Sequence, residues 1–187
     1  MNASQFVEFA VLALVVACLV SIVWNTLRLG ISPMPTTSPV LRTVLASLPQ
    51  GLQGQAHELG AGWGTLAWAI SKHCPQLQVI AWEASPVPYL FCRLRLLVQP
   101  RSNLFVRFGD FHRAHLHQAT LVVSYLWTGA MTMLAQKFSA ELPTDAVVIS
   151  HTFAWPGKEA EEVQIADDLY RTPVYRYKIK SASPTGA

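Results

Sequence analysis

"HELGAGWGTLAWAI", residues 57–70, sets three glycines at alternate positions directly behind an acid. An apolar run closes on Glu58 and Leu59, and a helical pattern opens at Thr65. A strand, a glycine turn and a helix in that order place the turn at the carboxyl end of a strand. Open α/β sheets bind ligands there. Glycine lets the backbone approach a ligand closely, and the following helix N-terminus offers free amides. The dinucleotide fingerprint G-x-G-x-x-G, counted from Gly60 and Gly62, requires a third glycine at position 65. That residue is Thr65, which argues against a nicotinamide dinucleotide.

The chain around this stretch keeps a regular cadence. Short apolar runs appear at "AHEL", "LQVIAWE", "LFVRF", "TLVVSYL" and "DAVVISHTF". Helical patterns fill 65–73, 87–98, 129–142 and 158–170, and "PVYRYKI" reads as a last strand. The alternation predicts a Rossmann-like, doubly wound, mostly parallel α/β sheet. Ahead of it, Ser38 and Pro39 read as the N-cap and first turn of a short helix, "VLRTVLASL".

Of 187 residues, 51% are hydrophobic and 13% charged, with a net charge of +3 and a mean hydropathy of +0.29. The apolar excess sits at the N-terminus, where "FAVLALVVACLVSIVW" at 9–24 contains no charge. Phe6 and Val7 extend it to the ~20 residues that a bilayer-spanning helix needs. "MNASQFVE" lacks the basic region of a signal peptide. "LVSIVW" follows Cys18 where a mature lipoprotein would turn polar. The segment therefore reads as a single transmembrane helix. Arg28 and Arg42 both lie C-terminal to it, so the positive-inside bias puts the rest of the chain on the cytoplasmic, interior side. Cys18, Cys74 and Cys92 form neither a CxxC pair nor a disulfide framework, which agrees with an interior domain.

The pattern E-x-G-x-G-x-G after the first strand resembles the signature of class I methyltransferases. That resemblance implies S-adenosyl-L-methionine as cofactor, bound by Glu58, Gly60, Ala61, Gly62, Trp63 and Gly64, with Thr37 nearby. Glu83, closing the second strand, would hold the ribose hydroxyls. Asp110 in "FGDF" would meet the adenine amine, and Phe111 would cover the ring. The residue types suit those partners: a vicinal diol takes a bidentate acceptor, an amine a carboxylate, a π-face an apolar wall.

The chain also resembles the small membrane-anchored lysine methyltransferases of the adenine nucleotide translocase and the ATP synthase c subunit, and their prokaryotic relatives. The likeness runs over 33–156 and is carried by "PMPTTSPVLRTVL", "WEASPVPYLFCRLRLL" and "MTMLAQKFSAELPTDAVVISHTFAWPG". It implies an anchor over 1–30, a linker and short helix over 31–50, a methyltransferase domain over 51–180 and a frayed tail over 181–187. The implied activity is protein-lysine N-methylation of a membrane-associated protein. A small-molecule or lipid methyltransferase, or a non-catalytic S-adenosylmethionine-binding relative, stays open beside it. One departure falls in the glycine loop, where Trp63 stands in place of the family's acid and would tune the site or disable it.

Ser124, Tyr125 and Trp127 in "SYLWTG" would line the acceptor side; for Tyr125 and Trp127, core packing at a strand end is the other reading. The segment lacks the N-P-P-Y motif of nucleobase amino-methylating enzymes, so no nucleic-acid substrate is expected. His112, His115 and His117 read as a solvated connection, and no metal is expected. Arg93, Arg95, Arg101, Arg107 and Arg113 form either a face for anionic headgroups or nucleic acid, or scattered solvated charges.

Overall fold

The structure, a computed structural model, describes residues 2–180. The tail at 181–187 lies outside the described residues. Five strands run parallel: β1 (Gly54–Leu59), β2 (Leu77–Glu83), β3 (Leu104–Phe108), β4 (Ala119–Ser124) and β5 (Val147–His151). A hairpin completes the sheet, with β7 (Pro173–Lys178) antiparallel to β5 and β6 (Glu162–Ile165) antiparallel to β7. The order is β3-β2-β1-β4-β5-β7-β6. Strand order reverses between β1 and β4, which opens a crevice at their carboxyl ends. The expected doubly wound, mostly parallel sheet is present.

Two apolar layers sandwich the sheet. Helices α2 (Ser38–Ala46), α3 (Thr65–His73) and α4 (Pro86–Val98) bring Val44, Ile70 and Cys92 onto Ala56, Val79 and Leu121. Helix α5 (Thr128–Glu141) brings Met131, Leu134 and Phe138 onto Leu59, Val122 and Val148 on the other face. Strands β4 and β5 are buried on both faces, which is why they read as unbroken apolar runs rather than as alternation.

Helix α1 (Ala3–Leu29) stands apart, with most of its apolar side chains exposed. Among the described residues it is the one helix long and apolar enough to cross a membrane. Its 27 residues span about 40 Å, more than the ~30 Å hydrocarbon core. It ends on Gly30, whose left-handed backbone (φ 75°) lets its N–H cap the Thr26 carbonyl at 2.9 Å. Near that end Asn25 is buried, and α1 packs against α4.

One expected helix is absent. The stretch 158–170 carries helix-forming Glu and Ala, yet it forms turns and the edge strand β6. "EVQI" alternates polar and apolar, and Glu161 and Glu162 pair with Arg176 on β7 at 3.4 and 2.7 Å. Cross-strand pairing outweighs local propensity here. Helix α2 starts one residue earlier than read, with Thr37 as its N-cap and Ser38 and Pro39 in the first turn.

Candidate active site

The glycine turn is tied to the end of β2. The N–H groups of Gly60 and Ala61 both donate to the Trp82 carbonyl, at 3.0 and 2.8 Å. Gly60 and Gly64 lie in the left-handed region, with φ of 83° and 76°. A Cβ at Gly60 would sit 2.9 Å from Leu126 Cδ2, and one at Gly64 only 2.7 Å from the Trp68 ring. Glycine is required at both positions by backbone and by space.

Glu83 is fixed by the same turn. Its Oε2 accepts the Gly62 N–H at 2.6 Å, and its Oε1 accepts the Ser85 N–H at 2.7 Å. A carboxylate offers about four acceptor positions, so each oxygen keeps capacity for a ligand hydroxyl. The result is a pre-aimed bidentate acceptor on the cleft wall.

Glu58 has the opposite character. It is buried, its carboxylate receives the Ala67 N–H at the start of α3, and its Oε2 has no protein partner. Burial pushes its carboxyl well above the usual range, the Ala67 N–H opposes this, and the Glu83 charge adds to it. An orphaned buried acceptor of this kind is matched by a positively charged ligand group.

These groups border two connected clefts. The larger encloses about 660 Å³, partly open to solvent, with Gly60, Gly62, Glu83, Asp110, Phe111 and Trp127 in its walls. The linker from Ile31 to Met34 closes one side of it. The smaller, about 230 Å³, is bounded by Thr36, Glu58, Ala61, Thr65 and Tyr125. Met34, Gly60 and Tyr125 border both, so Tyr125 stands at their junction.

Tyr125 stacks on His151, ring centroids 4.2 Å apart and 17° from parallel, with Phe153 beyond at 6.3 Å. Burial lowers the His151 pKa to about 4, so this aromatic wall is uncharged near neutrality. Asp110 caps the 3-10 turn Phe111–Arg113 by accepting the His112 N–H at 2.9 Å. Trp127 donates its indole N–H to the Leu29 carbonyl at 2.9 Å, bracing the end of α1.

Three residues expected at the site sit elsewhere. Ser124 is fully buried with its hydroxyl on the Met131 sulfur, so it is core. Thr37 is the exposed N-cap of α2, and the neighbouring Thr36 borders the cleft instead. Trp63 borders neither cleft: its indole N–H donates to the Pro33 carbonyl, and its ring meets Phe91 edge-on. Conversely, Trp82, Gly109, His151 and the 31–34 linker lie at the site, although the sequence alone assigns them no role. Gly109 takes a φ of 151° directly before Asp110.

Among the described residues, no three His, Cys, Asp or Glu side chains are grouped to hold a metal. The donor set instead suits a ligand with a vicinal diol at Glu83, an aromatic amine near Asp110 and Phe111, and a cationic group at Glu58. S-adenosylmethionine has all three.

Known proteins share this fold. No curated protein matches the chain at a significant level. Among solved structures, an RNA methyltransferase from Salinibacter ruber in complex with S-adenosyl-L-homocysteine superposes with a TM-score of 0.70 at 23% identity, covering 82% of this chain and 98% of that one. The B. subtilis tRNA methyltransferase TrmK gives 0.63 at 18% identity, over 79% of this chain and 68% of its own. A precorrin-6y C5,15-methyltransferase from Geobacter metallireducens GS-15 gives 0.63 at 14%, over 78% and 90%. At these identities the likeness speaks for the fold. Residues 58–162 match the family model described as the ANTKMT methyltransferase domain. The chain belongs to this family and is an S-adenosylmethionine-dependent methyltransferase.

Proposed function

We propose that the protein is a membrane-anchored protein-lysine N-methyltransferase acting on a membrane-associated protein, with its domain on the interior side that Arg28 and Arg42 favour. The observation that carries this reading is the continuity between α1 and the cleft. Leu29 at the helix end and the linker that follows it are walls of the same cleft as Gly60, Gly62 and Glu83. An anchor built into the site keeps it close to the bilayer and raises the effective concentration of membrane-protein substrates.

The bound cofactor supplies an electrophilic methyl group on a sulfonium. Glu83 and the glycine turn hold the nucleoside end, and Glu58 holds the cationic end. Glu58 borders the smaller cleft and Glu83 the larger, so the acceptor meets the reacting group at their junction, where Tyr125 stands. Alignment of the reacting atoms accounts for ~7–11 kcal/mol of barrier reduction in well-oriented systems. A lysine must arrive neutral, and the weakly polar surroundings of Tyr125, Phe153 and uncharged His151 favour loss of its proton. The same aromatic faces accommodate a methylated ammonium through cation–π attraction.

The test is methyl transfer from radiolabelled S-adenosylmethionine by the full chain in membranes, with Glu83→Ala as the control. Label in a protein band that releases methyl-lysine on hydrolysis supports the reading. Label confined to lipid or small molecules overturns the lysine assignment.

A further inference from the structure

Helix α4 presents to solvent a face that its own role in the fold does not use. Pro88 and Cys92 are buried and Leu96 packs on the core beneath them. On the outer side Leu94 is 62%, Leu97 79% and Val98 80% exposed, with Leu90 and Phe91 also exposed. Positions 90, 91, 94, 97 and 98 repeat at helical spacing. At 100° per residue they occupy an arc of roughly 120°. Arg93 flanks one edge of that arc and Arg95 the other. A contiguous apolar surface of this kind marks a partner.

Two further observations say which partner. Between Glu83 and Asp110 the chain carries Arg93, Arg95, Arg101 and Arg107 and no acid. The Arg95 guanidinium lies over the Trp68 ring at 4.4 Å, but Arg93 is exposed. An apolar arc with a basic edge suits an anionic bilayer surface, with the guanidinium at the phosphates and aliphatic chains below. In addition, α4 packs against α1, the membrane-length helix, and the end of α1 at Asn25, Arg28 and Leu29 shares a depression with Phe108 and Arg113. Where α1 leaves a bilayer, α4 is already at its surface. A nucleic acid would also attract the arginines, but its phosphates leave Leu90, Leu94, Leu97 and Val98 uncovered.

We propose that the outer face of α4 lies in the headgroup and upper acyl region of an anionic bilayer, as a second contact that fixes how the catalytic domain sits on the membrane. This deepens the membrane reading above and rests on it for the position of α1.

The test uses the full chain in a Cys18→Ala background, leaving only the buried Cys74 and Cys92 as native thiols. A bimane label is placed at Leu97→Cys, or at Gln136→Cys on the exposed side of α5. The protein is reconstituted in vesicles of brominated phosphatidylcholine with or without 30% phosphatidylglycerol. The expected result is at least twofold stronger bromine quenching at 97 than at 136. It should be greater with phosphatidylglycerol and reduced by Arg93→Gln with Arg101→Gln. Equal quenching at the two sites in both vesicles overturns the proposal. So does shielding of the 97 label from aqueous iodide by added tRNA without bromine quenching. Carbonate extraction of the same vesicles reads the anchor separately. Extracted protein that still shows lipid-dependent quenching at 97 upholds the α4 surface and overturns the anchor. Retained protein without that quenching does the reverse.

Discussion

The indole N–H of Trp63 donates to the carbonyl oxygen of Pro33, thirty residues upstream, and its ring meets Phe91 edge-on at 5.2 Å. The residue that departs from the family pattern thus faces away from the cofactor cleft and ties the glycine turn to the linker. Trp127 does the same from the other side through the Leu29 carbonyl. Two indoles hold the segment between α1 and α2 across the cleft mouth, so helix α1 and the glycine turn are mechanically joined.

Replacing Trp63 by Phe keeps the aromatic contact and removes the donor. A single hydrogen bond is worth ~0.5–1.5 kcal/mol net, so S-adenosylmethionine affinity should fall roughly two- to tenfold. Titration calorimetry on the full chain in detergent measures it. Unchanged affinity would show that the linker contributes nothing to cofactor binding.

Glu83→Gln tests the pre-aimed carboxylate. An amide has only one acceptor oxygen, so one of the Gly62 and Ser85 N–H groups must then face another donor. Charge-assisted hydrogen bonds contribute ~1.5–3 kcal/mol, which predicts cofactor binding weaker by roughly 10- to 150-fold with the fold retained. Binding within threefold of the parent, with an unchanged circular dichroism spectrum, would remove Glu83 from the ribose role.

The parallel core was legible because β/α alternation is written in local apolar runs, and Glu58, the glycines and Glu83 fall at strand ends that those runs define. Three things were not legible, each for a non-local reason. The direction of Trp63 depends on a carbonyl acceptor in the linker. Ser124 looked available at a strand end, but Met131 on α5 closes over it. The segment holding β6 has the composition of a helix, and its strand form rests on pairing with β7, including the ion pairs to Arg176.

Glu58 should couple cofactor binding to pH. Its folded, ligand-free carboxyl is raised well above the usual range by burial, so below that raised pKa a proton competes with a cationic ligand for it. A positive group at Oε2 favours the carboxylate, and binding then releases up to one proton. Affinity should rise with pH until the ligand-free pKa is passed, by at most about tenfold per pH unit. Calorimetry in buffers of different ionisation enthalpy counts the released proton, and Glu58→Gln should abolish this release. Equal proton release in parent and variant would place the coupling elsewhere.

His57 and His151 set an acid limit on stability. Burial lowers both pKa values to about 4, with Lys137 adding to the effect at His57. His57 must stay neutral because its Nδ1 accepts the Trp82 indole N–H at 3.3 Å. In the unfolded chain both rings titrate near 6.5, so between pH 6.5 and 4 the unfolded state binds more protons. Their stabilisation is therefore complete above pH 6.5 and declines as pH falls towards 4, by at most about 1.4 kcal/mol per pH unit for each ring. His151→Phe keeps an aromatic ring against Tyr125 and removes one titrating group. Urea denaturation of parent and variant from pH 7 to pH 4 should give slopes that differ by close to one proton. Identical slopes would mean that His151 is already charged, or solvated, in the folded protein.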